Sequence, residues 1–192
     1  MVAMREAKNL LNRARKRAVL AFLSAVYRVY PASSKFEEYR ISDRIREEFA
    51  CRKVLDVGCG KGNLGKLLRD LELYVGLDLS EIFEQDEGRE YIRGIMEKLP
   101  IREGKIFDCA YFVNSIFYSS NWMNSLFEAE RVSRRVVLID IDKRYPHIWV
   151  LDMLEGRIRA PPHDIKRRLE GKMRVLWEKH GTTFALVLEK SS

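Results

Sequence analysis

The residues best suited to chemistry lie in one run, Val54-Leu55-Asp56-Val57-Gly58-Cys59-Gly60-Lys61-Gly62-Asn63-Leu64. A short apolar stretch, a glycine turn and a helix start follow one another. Glycine adopts dihedrals closed to other residues and lets a ligand approach the backbone closely. The first turn of a helix offers N–H groups that have no partner within the helix. Spacing narrows the ligand. A dinucleotide fingerprint, G-x-G-x-x-G, fits Gly58 and Gly60 but meets Asn63 where its third glycine belongs. A phosphate loop, G-x-x-x-x-G-K-[ST], fails because Gly62 follows Lys61. What fits is D-x-G-x-G-x-G, carried by Asp56, Gly58, Gly60 and Gly62. A second acid, Asp78, stands 20 residues after Gly58. Its carboxylate can accept two charge-assisted hydrogen bonds from a ribose diol.

Strands and helices must hold these groups. Val54 to Val57 reads as a buried parallel strand ending in glycine, and Asn63 to Leu71 as the helix after it. Further strands are expected at Leu73–Leu77, Tyr91–Arg93, Phe107–Val113, Val136–Ile141, Arg174–Lys179 and Thr183–Glu189. The last two are joined by His180-Gly181, a hairpin signal. Helices are expected at Asn121–Val132, Pro146–Glu155 and Pro162–Glu170, with a turn or two at Glu81–Asp86. Before the first strand, apolar residues recur at helical spacing over 4–30. After Pro31 and a break at Ala32-Ser33-Ser34, Ser34 and Glu37 form a capping-box pattern that opens a helix to about Ala50. Alternating strands and helices closed by a hairpin give an α/β fold. It is a doubly wound seven-stranded sheet, mostly parallel, with an antiparallel C-terminal hairpin and N-terminal helices. Ligands of such sheets sit beyond the carboxyl ends of the strands.

The glycine loop, the second acid and the strand order together resemble the class I S-adenosylmethionine (SAM) dependent methyltransferases, which have a Rossmann-like fold. Glu97-Lys98-Leu99-Pro100 and Phe107-Asp108-Cys109-Ala110 are similar to the L-P and F-D-x-x segments of the small type-11 subgroup. The resemblance covers about residues 35–190, so residues 35–192 are expected to form the methyltransferase domain and 1–34 a basic amphipathic helix. It implies SAM as cofactor. Gly58 and Gly60 would let the backbone pass beneath its methionine part and ribose, with Cys59 and Gly62 in the same cofactor-binding loop, Cys59 as packing, and Asp56 near its ammonium. Asp78 would take the ribose hydroxyls, with Leu79 beside it. Ile95, Met96 and Val113 would complete the site. One departure stands out: Ile95 occupies the position where the subgroup often carries an adenine-binding Asp. Glu97 is the nearby acid that can replace it.

Methyl transfer from a sulfonium is a direct displacement that requires an aligned nucleophile more than a covalent helper. A base is needed only for an acceptor that is protonated at working pH. Acceptor-side candidates follow strands four and five: Asn114 and Tyr118, then Asp140, Asp142 and His147. Ser115 lies beside Asn114, and Asn114-Ser115-Ile116-Phe117 departs from the N-P-P-[YF] of amine-methylating relatives that act on nucleic acids. Tyr30, Tyr39, Trp122 and Trp149 are candidate walls. No metal-ligand spacing is present around His147 or His163.

Composition sets the remaining bounds. The chain has 192 residues and a net charge of +7. Residues 1–30 hold seven basic groups against one acid, which leaves 28 basic and 27 acidic residues in the rest. The preferred reading of the arm is a helix with a solvated basic face; RNA through residues 1–30 and an anionic membrane surface are its alternatives. The apolar run Ala18 to Tyr27 is too short to span a bilayer. Three cysteines without a C-x-x-C pair argue against a disulfide framework and for a reducing compartment, the cytoplasm. A single Gln and two Thr among abundant Lys, Arg and Glu suggest a thermophile source. A small-molecule methyl acceptor is preferred. An RNA or protein acceptor and a non-catalytic SAM-binding role are the alternatives. The acceptor and the oligomeric state are not specified by the sequence.

Overall fold

Five apolar runs pair side by side because each can bury both faces at once. In the computed structural model, which describes residues 32–80, 87–142, 152 and 159–191, they form the middle of one seven-stranded sheet. The strands are β1 (Lys53–Val57), β2 (Leu73–Asp78), β3 (Glu90–Arg93), β4 (Phe107–Val113), β5 (Ser133–Ile141), β6 (Met173–Lys179) and β7 (Thr183–Lys190). Their order is β3-β2-β1-β4-β5-β7-β6. The first five pair in parallel, and β7 pairs antiparallel with both β5 and β6. The expected doubly wound sheet with its C-terminal hairpin is therefore present.

Alternation along each strand divides the core in two. Leu55, Val57, Val75, Leu77, Ala110, Phe112, Val136 and Leu138 face one layer, with α3 (Trp122–Val132) and α4 (Pro162–Leu169) supplying Leu126, Ala129, Ile165 and Leu169. Val54, Tyr74, Tyr111, Val137 and Ile139 face the other, against Ile41 and Ile45 of α1 (Ala32–Glu48) and Leu64 of α2 (Asn63–Leu67). Asn121 caps α3 by accepting from the Asn124 N–H at 3.1 Å. Pro162 opens α4, where its missing N–H costs nothing.

Several boundaries move, each for a backbone reason. Helix α1 starts at Ala32, within the expected break, and Glu37 accepts from Lys179 Nζ at 2.5 Å. Helix α2 stops at Leu67 because Leu68 turns extended and Asp70 takes φ 55°. Strand β5 begins three residues early, since polar Ser133 and Arg135 pair with Phe107 and Cys109. The expected helices over 4–30, Glu81–Asp86 and Pro146–Glu155 fall outside the described residues, apart from Asp152.

One expectation is overturned. Cys51 and Cys109 form a disulfide, with Cα atoms 5.5 Å apart and both residues fully buried. Parallel pairing of β1 with β4 sets Val54 opposite Cys109 and so brings it beside the segment entering β1. No local spacing in the sequence signals this. The link spans 58 residues, a loop whose closure is worth roughly 4 kcal/mol in the chain-entropy model. Cysteine usage therefore does not argue for a reducing compartment. No helix among the described residues is long and apolar enough to cross a membrane.

Candidate functional site

The glycine loop leaves β1 and is tied at once to β2. Gly58 and Cys59 both donate their N–H groups to Leu77 O, at 2.7 and 3.0 Å. Gly58, Gly60 and Gly62 all take positive φ, at 77°, 53° and 76°. At Gly58 an added Cβ would lie 2.5 Å from Ser115 Cβ, so glycine lets the loop pass against the residue after β4. Ser115 Oγ donates to Val57 O at 2.6 Å and locks that approach. At Gly60 an added Cβ would meet nothing within 4 Å.

Asp78 ends β2. Its Oδ2 accepts from the Gly60 N–H at 2.9 Å, and its Oδ1 accepts from Ser80 N and Oγ at 2.8 and 2.6 Å. An ionised carboxylate offers about four acceptor positions. Three are occupied here, so the group is aimed by its neighbours and still has capacity for a ligand.

A cavity of about 980 Å³ opens beyond the carboxyl ends of β1, β2 and β4. Gly58, Gly60, Asp78, Leu79, Ile95 and Met96 line one part of it. Asn114 and Tyr118 line another. Leu79, Ile95 and Tyr118 leave large apolar surfaces exposed, at 62%, 46% and 59%. Eight residues expected at the site thus meet around one cavity.

Other expected residues lie elsewhere. Asp56 is buried beneath the loop and accepts from Tyr74 Oη at 2.6 Å. Burial first, and the charge of Asp78 after it, raise its pKa to about 7 against the opposing Tyr74 bond. Cys59 is half-buried, and burial with the nearby Asp56 and Asp78 charges pushes its thiol pKa up. That keeps the thiol neutral and fits packing. Gly62 caps α2 and lies against Tyr91. Val113 packs into the second core layer. Tyr39 packs there too, and Trp122 stacks edge-on with Phe117. His147, Tyr30 and Trp149 lie outside the described residues. His163 is exposed beside Asp164.

The acids at the end of β5 are buried. Asp140 accepts from Arg159, and Arg159 Nε donates to Asp152 at 2.7 Å. Burial works against the Arg159 charge, and the two carboxylates overcome it, raising its pKa. Asp142 is fully buried, and its N–H donates to Thr182 O at 2.8 Å. Neither Asp140 nor Asp142 is among the cavity's described liners.

Sequence reasoning missed three groups. Ser80 sits two residues after Asp78, the spacing of an Asx turn, and that signal was readable. Ser119 and Ser120 donate to Glu97 Oε1 from the turn after β4, closing the far rim. Burial opposes the Glu97 charge, yet these bonds outweigh it and hold the carboxyl below its usual range. Arg159 gave no signal, because nothing local distinguishes a buried arginine. Among the described residues no cluster of three His, Cys, Asp or Glu is placed to hold a metal.

Comparison with known proteins agrees with this geometry. Residues 55–139 match a family model described as a methyltransferase domain, of type 11. No curated protein is significantly similar to the chain in sequence. Among solved structures, the methyltransferase in a complex with the Haloferax volcanii Trm112 methyltransferase activator superposes with a TM-score of 0.67 at 13% identity. That alignment covers 83% of this chain and 93% of that one. A SAM dependent methyltransferase from Aquifex aeolicus gives 0.56 at 18% identity, covering 77% and 88% of the two chains. A type 11 methyltransferase from Sulfolobus solfataricus gives 0.59 at 19%, covering 77% and 90%.

Proposed function

We propose that this chain, whose residues 55–139 match a type-11 methyltransferase domain model and whose fold is that of methyltransferase structures, transfers a methyl group from SAM to a small-molecule acceptor. The observation that carries the cofactor assignment is the Asp78 carboxylate, aimed by the Gly60 N–H at the rim of a cavity of about 980 Å³. The residues present fit the group. Gly60 lines the wall with open space where a side chain would project. Asp78 retains acceptor capacity for a diol, and Leu79, Ile95 and Met96 offer apolar surface to an adenine. With Ile95 in place of an acid, that surface and backbone groups read the ring.

When bound, SAM supplies an electrophilic methyl carbon that an aligned nucleophile takes by direct displacement. The chain's own residues bind and orient. Asp78 holds the ribose, Gly58 and Gly60 keep the backbone close, and Asn114 and Tyr118 face the acceptor. Calorimetric titration with SAM and with S-adenosylhomocysteine tests the assignment. Asp78→Ala removes charge-assisted bonds worth roughly 1.5–3 kcal/mol, so affinity should fall by about 10- to 100-fold. A wild-type chain that binds neither ligand would end this reading.

A second reading is an RNA or protein acceptor gripped by residues 1–30. It is supported by the seven basic groups there. Reversing Arg13, Arg15, Lys16 and Arg17 to Glu should then abolish salt-dependent RNA binding. A non-catalytic SAM-binding role rests on Ile95 alone, and any transfer of labelled methyl to an acceptor removes it.

A further inference from the structure

Asp56 opens the glycine motif, yet it stands apart from the cavity that the motif borders. Gly58, Gly60 and Asp78 line that cavity, and Asp56 does not. Its carboxylate accepts from Tyr74 Oη at 2.6 Å, and both residues are buried. Strand register explains the reach. Parallel pairing sets Tyr74 opposite Val54 and Gly76 opposite Asp56, so Tyr74 extends two positions along the sheet to meet the acid. The space at Gly76 is taken by Tyr91 and Cys59, each less than 3 Å from where a Cβ would stand.

Two tyrosines thus lie beneath the loop. Tyr74 and Tyr91 meet edge-on, with ring centroids 6.0 Å apart. At Gly65 an added Cβ would come within 2.7 Å of the Tyr74 ring, and at Gly62 it would overlap the Tyr91 hydroxyl. Gly62 ends the glycine loop, and Gly65 lies in the first turn of α2 that follows it. The backbone of loop and helix therefore rests directly on the two rings. The position of the rings sets the height of the loop over the sheet, and Asp56 fixes the tip of Tyr74.

The groups around Asp56 suit that task. Tyr74 and Asp78 face it from β2, Cys59 from the loop, Tyr39 from α1 and Tyr111 from β4. Burial and the Asp56 charge raise the Tyr74 pKa, so the phenol keeps its proton and remains the donor. Burial and the Asp78 charge raise that of Asp56 to about 7. An acid that pairs with a cation needs its charge. One that receives a phenol O–H serves in either state, because the unprotonated oxygen of a carboxyl still accepts.

We propose that Asp56 is a positioning residue: with Tyr74 and Tyr91 it forms a strut that holds the glycine loop in place for the cofactor, and it makes no ion pair with the cofactor's ammonium group. The inference rests on the SAM reading above. It gives Tyr74, which the glycine motif does not contain, a share in cofactor affinity.

The test titrates S-adenosylhomocysteine, which carries the ammonium without the sulfonium, into the full chain by calorimetry. Asparagine keeps an acceptor for Tyr74, so Asp56→Asn should bind within about threefold of wild type. Tyr74→Phe keeps the carboxylate and removes its donor, so affinity should fall about tenfold although Tyr74 does not line the cavity. An ion pair predicts the reverse order: a loss of about 10- to 100-fold in Asp56→Asn and none in Tyr74→Phe. Either half of that reverse order overturns the proposal. Proton exchange is a readout that a purely structural role does not move. At pH 7, in phosphate and in Tris, wild type and Asp56→Asn should exchange equal numbers of protons on binding. A difference of about half a proton, as a cation capturing the charged form of an acid with a pKa of about 7 would give, overturns it. Should Tyr74→Phe not fold, the affinity and proton exchange of Asp56→Asn decide. A wild-type chain that binds no S-adenosylhomocysteine strikes the methyltransferase reading and the strut with it, whereas binding in the reverse order strikes the strut alone.

Discussion

The two ends of the cavity are built differently. At the β1–β2 end, polar groups are satisfied from within: Gly58 and Cys59 on Leu77 O, Gly60 and Ser80 on Asp78. The ligand meets a surface already in place. At the β4–β5 end, Asn114 Oδ1 lacks a partner, and nearby stability rests on the buried set Arg159, Asp140 and Asp152. The first end depends on backbone conformation and the second on side-chain charge. Substitutions should therefore fail differently at the two ends.

The largest effect is expected at the charged end. Arg159→Ala takes one cation away from two buried carboxylates, and breaking such a set costs about 3–5 kcal/mol. Chemical denaturation measures it. Cofactor affinity of the folded variant should stay within twofold of wild type, since Arg159 does not line the cavity. An Arg159→Ala chain as stable as wild type would erase the contrast between the ends.

Asp56 tests the backbone end from beneath. Its pKa rises from 3.8 to about 7 in the folded chain, so the folded state holds a proton that the unfolded state releases. The contribution of this one group to stability is then greatest below pH 3.8, falls as pH rises through 7, and is constant above. Asp56→Asn removes that slope and still accepts from Tyr74. It should exceed wild type by roughly 2–4 kcal/mol at pH 8 and match it near pH 4, as paired denaturation curves would show. Equal slopes for both proteins would mean the carboxylate is solvated.

The same contrast explains what was readable beforehand. The glycine spacing, Asp78, the strand order and the hairpin follow from local pattern, because backbone conformation selects residue types at fixed intervals. Asn114 was readable only as a position after a strand; its unpaired oxygen is a property of the packed chain. The Arg159 set joins residues 19 and 7 apart across elements, and the Cys51–Cys109 link joins residues 58 apart through strand pairing. No local pattern encodes such contacts. Asp56 shows the converse: a motif position easily found, whose carboxylate is turned to Tyr74 by a partner the motif does not contain.

Two glycines of the loop sharpen the comparison further. Gly58→Ala forces φ 77° on alanine and drives Cβ to 2.5 Å from Ser115 Cβ. The expected cost is about 2–3 kcal/mol, and Ser115→Gly in the same chain should restore the steric part but not the conformational one. Gly60→Ala meets no atom, so only its φ of 53° is penalised, by about 1 kcal/mol. That Cβ nevertheless enters the open space of a cavity wall. S-adenosylhomocysteine affinity should therefore drop by more than the small stability loss suggests, about tenfold by calorimetry. Gly58 would then be glycine so that the protein can close on itself, and Gly60 so that a ligand can come near. A Gly60→Ala chain that binds as wild type does would leave both glycines with conformation as their only reason.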